Sequence, residues 1–112
     1  MESIQEFVKQ VQNKEIDLLE HTYKVIEEAK KIDKTYNYFT TISEDLAIKQ
    51  AKEIKKNPKG KLAGIPISVK DSICVKDVET RAGSRILADY IPPFNATVIE
   101  KVVKEGAIII GK

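Results

Sequence analysis

The chain has 112 residues, 19 Lys and Arg against 17 Asp and Glu for a net charge of +2, a hydrophobic fraction of 42%, one Cys and no Trp. At this length a chain buries roughly 65% of the surface its unfolded form exposes, so one core forms without the help of a metal or disulfides. The two charge signs alternate along the sequence, which excludes a phosphate-tracking basic stripe, and a lone Cys74 excludes an internal disulfide and a C-x-x-C metal or redox pair.

The opening MESIQEFVKQ has neither the basic start nor the apolar stretch of a secretory leader, and no apolar run approaches the ~20 residues of a membrane span. The expectation is a cytoplasmic chain. No repeat or low-complexity tract is present, and the segment richest in chain breakers is the short Asn57–Gly60, so the organisation expected is one continuous unit.

Ser3 and Glu6 have the spacing of a capping box, and Ile4, Phe7, Val8 and Val11 then fall on one helical stripe. Asp17 is placed to cap a second helix, in which Leu18, Thr22, Val25, Ile26, Ala29 and Ile32 recur at steps of three and four while Glu27, Glu28, Lys30 and Lys31 face away. Tyr36–Ile42 is aromatic and β-branched and predicts a strand. Ser43 then predicts the cap of a third helix bearing Leu46, Ala47, Ala51 and Ile54, stopped at Asn57-Pro58-Lys59-Gly60.

From Leu62 the period changes to two. Ile65, Ile67 and Val69 point to one side, and Pro66, Ser68 and Lys70 to the other. Ile73–Val75 predicts a second short strand after a turn at Asp71-Ser72, and Thr80–Ser84 reads as a loop of the sort that carries function. After Pro92-Pro93, Asn95 or Thr97 predicts the cap of a helix with Val98, Val102 and Val103; Gly106 suits its end, and Ala107–Ile110 reads as a buried strand. Strand, crossover helix and apolar strand make a βαβ unit and hence a parallel sheet covered on both faces. Because the sequence stops directly after that strand, leaving its three isoleucines short of neighbours, the chain reads as part of something larger.

Four features invite a chemical role. Gly106–Lys112 matches the spacing G-x-x-x-x-G-K, but a phosphate loop follows a strand and opens a helix, whereas here a helix precedes the first Gly and the four middle residues are apolar and strand-forming. His21 stands alone on an amphipathic helix without a second His or a nearby Cys, which reads as a surface histidine and not a ligand or half of a Cys-His couple. Cys74 reads as a small buried apolar residue. Lys70 is the interesting cation. An apolar strand leads straight into it, and Gly64, Ser68, Ser72, Gly83 and Ser84 permit close backbone approach. A lysine withdrawn from water loses much of its preference for the charged form, and the neutral amine is a general base; a lysine at a strand end equally well extends its charge into solvent.

The stretch Leu62-Ala63-Gly64-Ile65-Pro66-Ile67-Ser68-Val69-Lys70-Asp71 resembles the G-I-P-hydrophobic-x-V-K-D segment of the amidase signature family. The resemblance continues through Glu79–Ser84, Asn95–Val98 and Gly106–Lys112, in that family's order and at about its separations, so that it covers essentially the whole chain. It implies an α/β fold in which N-terminal helices are followed by the start of a mixed or parallel sheet with a βαβ unit. Residues 1–60 would form a helical cover, and residues 61–112 the beginning of the amidase signature core, within one continuous structural unit.

Within the family the likeness is greatest to the ammonia-supplying A subunits of the tRNA-dependent amidotransferases that serve Glu-tRNA(Gln) or Asp-tRNA(Asn). The family's Ser, cis-Ser, Lys triad would place its lysine at Lys70. Both serines belong to a Gly/Ser-rich segment beyond Lys112, and Ser68, Ser72 and Ser84 do not occupy it, so this chain alone is expected to be inactive. Ser72 stands where the family often has Asn, and Arg81 where it often has a small residue. The resemblance further implies glutamine as substrate, partner subunits B and C, and tRNA contacts made mainly by the partner. No cofactor is expected in this chain, with ATP and Mg²⁺ at the level of the complex. A general amidase of the same family acting on small amides, and a non-catalytic α/β interaction module, are the alternatives.

Overall fold

The computed structural model describes residues 3–112. Three helices come first: α1 (Ile4–Gln12), α2 (Leu18–Tyr36) and α3 (Glu44–Lys56). Strand β1 (Pro66–Ser68), a single 3₁₀ turn at Arg85–Leu87, helix α4 (Thr97–Lys104) and strand β2 (Ile108–Gly111) complete the order. The two strands pair in parallel, Pro66 with Ile108 and Ile67 with Ile109, and a bulge between Ile67 and Ser68 brings Ser68 opposite Gly111. The expected βαβ unit is therefore present, with a long loop and α4 as its crossover.

The helix starts follow local chemistry. Glu6 N donates to Ser3 Oγ at 3.1 Å and Ser3 N donates to a Glu6 carboxylate oxygen at 3.0 Å, a complete capping box. Asp17 Oδ1 accepts from the amides of Leu19 and Glu20 at the start of α2, and these bonds, that from Glu20 foremost, hold its carboxyl below the usual range.

The run of isoleucines in β2 is explained by cover on both faces. Ile108 and Ile110 pack with Phe7, Val8, Val11, Leu18, Ile26, Ala47 and Ala51 from the three N-terminal helices. Ile109 packs on the opposite side with Val69, Val75, Val78 and Ile99. A fully buried isoleucine is worth about 1.5–3 kcal/mol of transfer free energy, and a strand apolar on both faces can collect that on each of them.

Among the described residues the outer edge of β2 is closed by side chains of Ser43 and Gln50 and by the backbone of Thr41 and Ser43 instead of a third strand. Ile109 N donates to Gln50 Oε1 at 2.8 Å, Ser43 Oγ donates to Ile109 O at 2.8 Å, Ser43 N donates to Ile110 O at 2.8 Å, and Lys112 N donates to Thr41 O at 2.8 Å. Gly111 is required where this segment crosses, because a Cβ there would lie 2.5 Å from Thr41 O and 3.0 Å from the Phe39 ring.

Three expectations are corrected. The strand expected over Tyr36–Ile42 does not form: α2 runs on through Tyr36, Asn37 ends it in the left-handed conformation, and only Ile42 makes a single antiparallel bridge, to Gly111. The segment's amides are instead taken by Asp33 Oδ1, which accepts from Phe39 N, and by Lys112 O, which accepts from Thr40 N and Thr41 N. Ile73–Val75 is turn and irregular backbone, with Ile73 N donating to Lys70 O and Cys74 O accepting from Ala96 N. Cap positions also differ in role. Ser43 precedes α3 but spends its hydroxyl on Ile109, and Ala96 occupies the start of α4 while Asn95 Oδ1 accepts from Lys76 N at 2.7 Å.

Candidate functional site

The carboxyl ends of β1 and β2 lie side by side, and in open parallel sheets ligands collect outside such ends. Val69 N donates to Gly111 O at 2.9 Å, which sets Lys70 and Lys112, the next residue on each chain segment, at the same end of the sheet. The alternation read from the sequence holds here: Val69 is buried, while Ser68 and Lys70 lie on the exposed face.

Lys70 is exposed, and none of the described residues accepts a hydrogen bond from its ammonium or pairs with it. The withdrawal from water expected for this lysine is thus not supplied by residues 3–112. The sheet fixes its backbone through Val69, and a turn closed by Ile73 N donating to Lys70 O at 2.9 Å redirects the chain immediately after it.

The buried cation is Lys112, with a side-chain exposure of 0%. Its ammonium donates to Asp71 O at 3.3 Å, to Thr80 Oγ1 at 2.6 Å and to Ile73 O, and lies 3.9 Å from Asp71 Oδ1. Thr80 Oγ1 already gives its own hydrogen to Val78 O. All three partners of Lys112 are therefore acceptors, and an ammonium has three N–H groups to match them. Burial pushes this lysine below its ordinary value of 10.5, while the charges of Asp71 and Cys74 oppose that shift. Its three acceptors favour the charged form.

Asp71 extends the network. Its carbonyl accepts from Ala82 N, Oδ1 from Arg81 N at 3.3 Å and Oδ2 from Gly83 N at 3.2 Å. Ala82 and Gly83 both adopt left-handed backbone, which turns the Ala82 amide onto the Asp71 carbonyl and the Gly83 amide onto its carboxylate. The loop of Thr80–Ser84 is in this way tied to the turn that follows Lys70.

The remaining candidates fall outside this cluster. Gly106–Lys112 is helix end and strand, not a phosphate loop: Ile108 N donates to Ile65 O and Ile109 N to Gln50, so its amides are committed to the protein. His21 is half-buried with its ring 4.7 Å from that of Phe7. Cys74 is half-buried and free of a disulfide. Sequence reasoning met Lys112 only as the tail of G-x-x-x-x-G-K; the signal it missed was a lysine directly after a strand apolar on both faces.

Comparison with known proteins matches this architecture. The Amidase family model matches residues 20–112. The glutamyl-tRNA(Gln) amidotransferase A subunits of Sulfurisphaera tokodaii and Saccharolobus solfataricus are each 44% identical over 110 residues, 97% of this chain and 23% of those proteins. The chain thus spans about a quarter of the length of the curated relatives it matches. Among solved structures, an amidase family protein from Bacillus anthracis superimposes with a TM-score of 0.85 at 28% identity over 99% of this chain and 23% of that one. Native peptide amidase from Stenotrophomonas maltophilia gives 0.89 at 24% identity over 98% and 24%, a likeness of fold. With a family model spanning residues 20–112 and the Gly64–Asp71 segment forming the strand and turn just described, the chain belongs to the amidase signature family.

Proposed function

We propose that this chain is the N-terminal part of the glutamine-hydrolysing A subunit of a tRNA-dependent amidotransferase, one that converts Glu-tRNA(Gln) or Asp-tRNA(Asn) to the amidated form. The observation that carries this reading is the 44% identity to such subunits along 97% of the chain, against 24–28% to the solved amidases above. In this reading Lys70 is the base of the triad. Its neutral amine takes the proton of a bridging serine, which takes that of the nucleophilic serine; the serine oxygen then bonds to the carboxamide carbon of glutamine. The C–N bond breaks, ammonia leaves with a returned proton, and water releases glutamate from the acyl-enzyme. Both serines come from sequence beyond these residues, and the same sequence covers Lys70, which is exposed here.

The ammonia would pass to the partner subunits B and C, which would make most of the tRNA contacts and where ATP and Mg²⁺ would supply the activation of the misacylated tRNA's carboxylate. The near-neutral charge of this chain suits that division. The setting is cytoplasmic, in keeping with the finding that no helix among the described residues is long and apolar enough to cross a membrane. A general amidase acting on small amides is the second reading, supported by the 28% identity to the amidase family protein from Bacillus anthracis.

The test is ammonia release from glutamine by the full-length product, alone and with subunits B and C, in the native form and as Lys70→Ala. Expected are a loss of at least 10³-fold in kcat for Lys70→Ala and stable capture of B and C. Activity retained by that variant refutes the role of Lys70; hydrolysis of simple amides without capture of B or C refutes the amidotransferase assignment. The 112-residue chain by itself is expected to release no ammonia.

A further inference from the structure

The triad reading leaves unexplained why a fully buried ammonium sits at the end of β2. A buried lysine is costly unless its charge is met, and all three N–H groups of Lys112 are met by one loop: Asp71 O, Ile73 O and Thr80 Oγ1. These groups flank the turn that leaves Lys70 and the loop that Asp71 gathers through Arg81, Ala82 and Gly83. That turn contains no regular element; its backbone is held by single bonds, from Ile73 N to Lys70 O, Ala82 N to Asp71 O and Ala96 N to Cys74 O. β2, by contrast, is held on both edges.

We propose that Lys112 is a positioning residue for Lys70: its ammonium anchors Asp71, Ile73 and Thr80 to the rigid end of β2 and thereby sets where Lys70 leaves the sheet. This rests on the reading of Lys70 as the triad base. A misplacement of about 1 Å in a reacting group can cost on the order of 10²-fold in rate, and a loosened turn beside Lys70 is such a misplacement.

The experiment compares Lys112→Met, which keeps the chain length but has no donor, Thr80→Val, which removes one of the three acceptors, and Lys70→Ala, all in the full-length product. The readouts are kcat and KM for glutamine, the pH dependence of kcat, and amide exchange of Ala82 and Gly83. For Lys112→Met we expect kcat to fall about 10- to 100-fold with KM changed less than threefold, the acid limb of the kcat profile to move, and exchange at Ala82 and Gly83 to rise at least tenfold while Ile108 and Ile109 stay protected. Thr80→Val is expected to move the same readouts less far, and it decides the matter if Lys112→Met does not fold. An unchanged pH profile with only a smaller active fraction, or unchanged exchange at Ala82 and Gly83, overturns the positioning role. Full activity in Lys70→Ala instead defeats the triad assignment itself, and so separates the two failures.

Discussion

The outer edge of β2 offers a direct test of how this fold replaces a missing strand. Ile109 is fully buried, and its N–H has Gln50 Oε1 as acceptor at 2.8 Å, from a side chain whose residue is itself 8% exposed. Gln50→Met keeps the helix propensity and the side-chain length but offers no oxygen. The stranded N–H costs about 1–3 kcal/mol, and the apolar thioether returns part of that, leaving a net loss of roughly 1–2 kcal/mol. At this size the loss lowers Tm by about 4–8 °C per kcal/mol, and it moves the urea midpoint with m unchanged. Ser43→Ala removes the donor to Ile109 O at the same residue. The two substitutions should therefore combine non-additively, with a coupling of about 0.5 kcal/mol or more in a double-mutant cycle. Urea unfolding followed by far-ultraviolet circular dichroism measures all four species. A Gln50→Met variant within 0.5 kcal/mol of the native chain would falsify the idea that side chains of α3 and its cap close this edge.

Two further outcomes follow from the same region. Gly111→Ala places a methyl 2.5 Å from Thr41 O, a backbone atom held by the bond from Lys112 N, and should cost about 1–3 kcal/mol by the same unfolding measurement; a neutral result would mean that the Thr41 segment yields freely. Lys112 is held below 10.5 in the folded state, so between that lowered value and 10.5 the unfolded chain carries more protons and stability rises with pH across this window. Comparing the native chain with Lys112→Met cancels the other titrating lysines and tyrosines, and the difference between the two curves should slope in that direction; the groups facing the ammonium are Asp71, Cys74 and Thr80, and an opposite slope would show that their attraction outweighs burial.

Much of this architecture was written in periods and caps. The Ser3–Glu6 box, the Asp17 cap, the three-and-four spacing of Leu18 through Ala29 and the two-residue period from Ile65 to Lys70 are local patterns, and each formed where local chemistry put it. Tyr36–Ile42 failed because strand propensity needs a partner to pair with. Helix α2 runs through Tyr36, and the adjacent strand, β2, accepts one bridge from Ile42 before Ser43 and Gln50 occupy the rest of its edge. The propensity was present and the vacancy was not.

The two lysines show the same limit at the site. Both follow a short apolar strand, and in sequence Lys70 looks the better candidate for burial because serines and glycines surround it. What decides the matter is which strand is interior. Among the described residues β1 pairs only with β2, and its Pro66 suits such an edge, so the residue after it emerges into solvent. β2 has β1 on one side and Gln50, Ser43 and Thr41 on the other, so the residue after it is drawn under the loop and must find acceptors there. Strand order is a non-local property that no window around either lysine contains. The exposed lysine stands at an open edge, where further chain can cover it, and the buried one at a closed edge, where it can only hold what is already there.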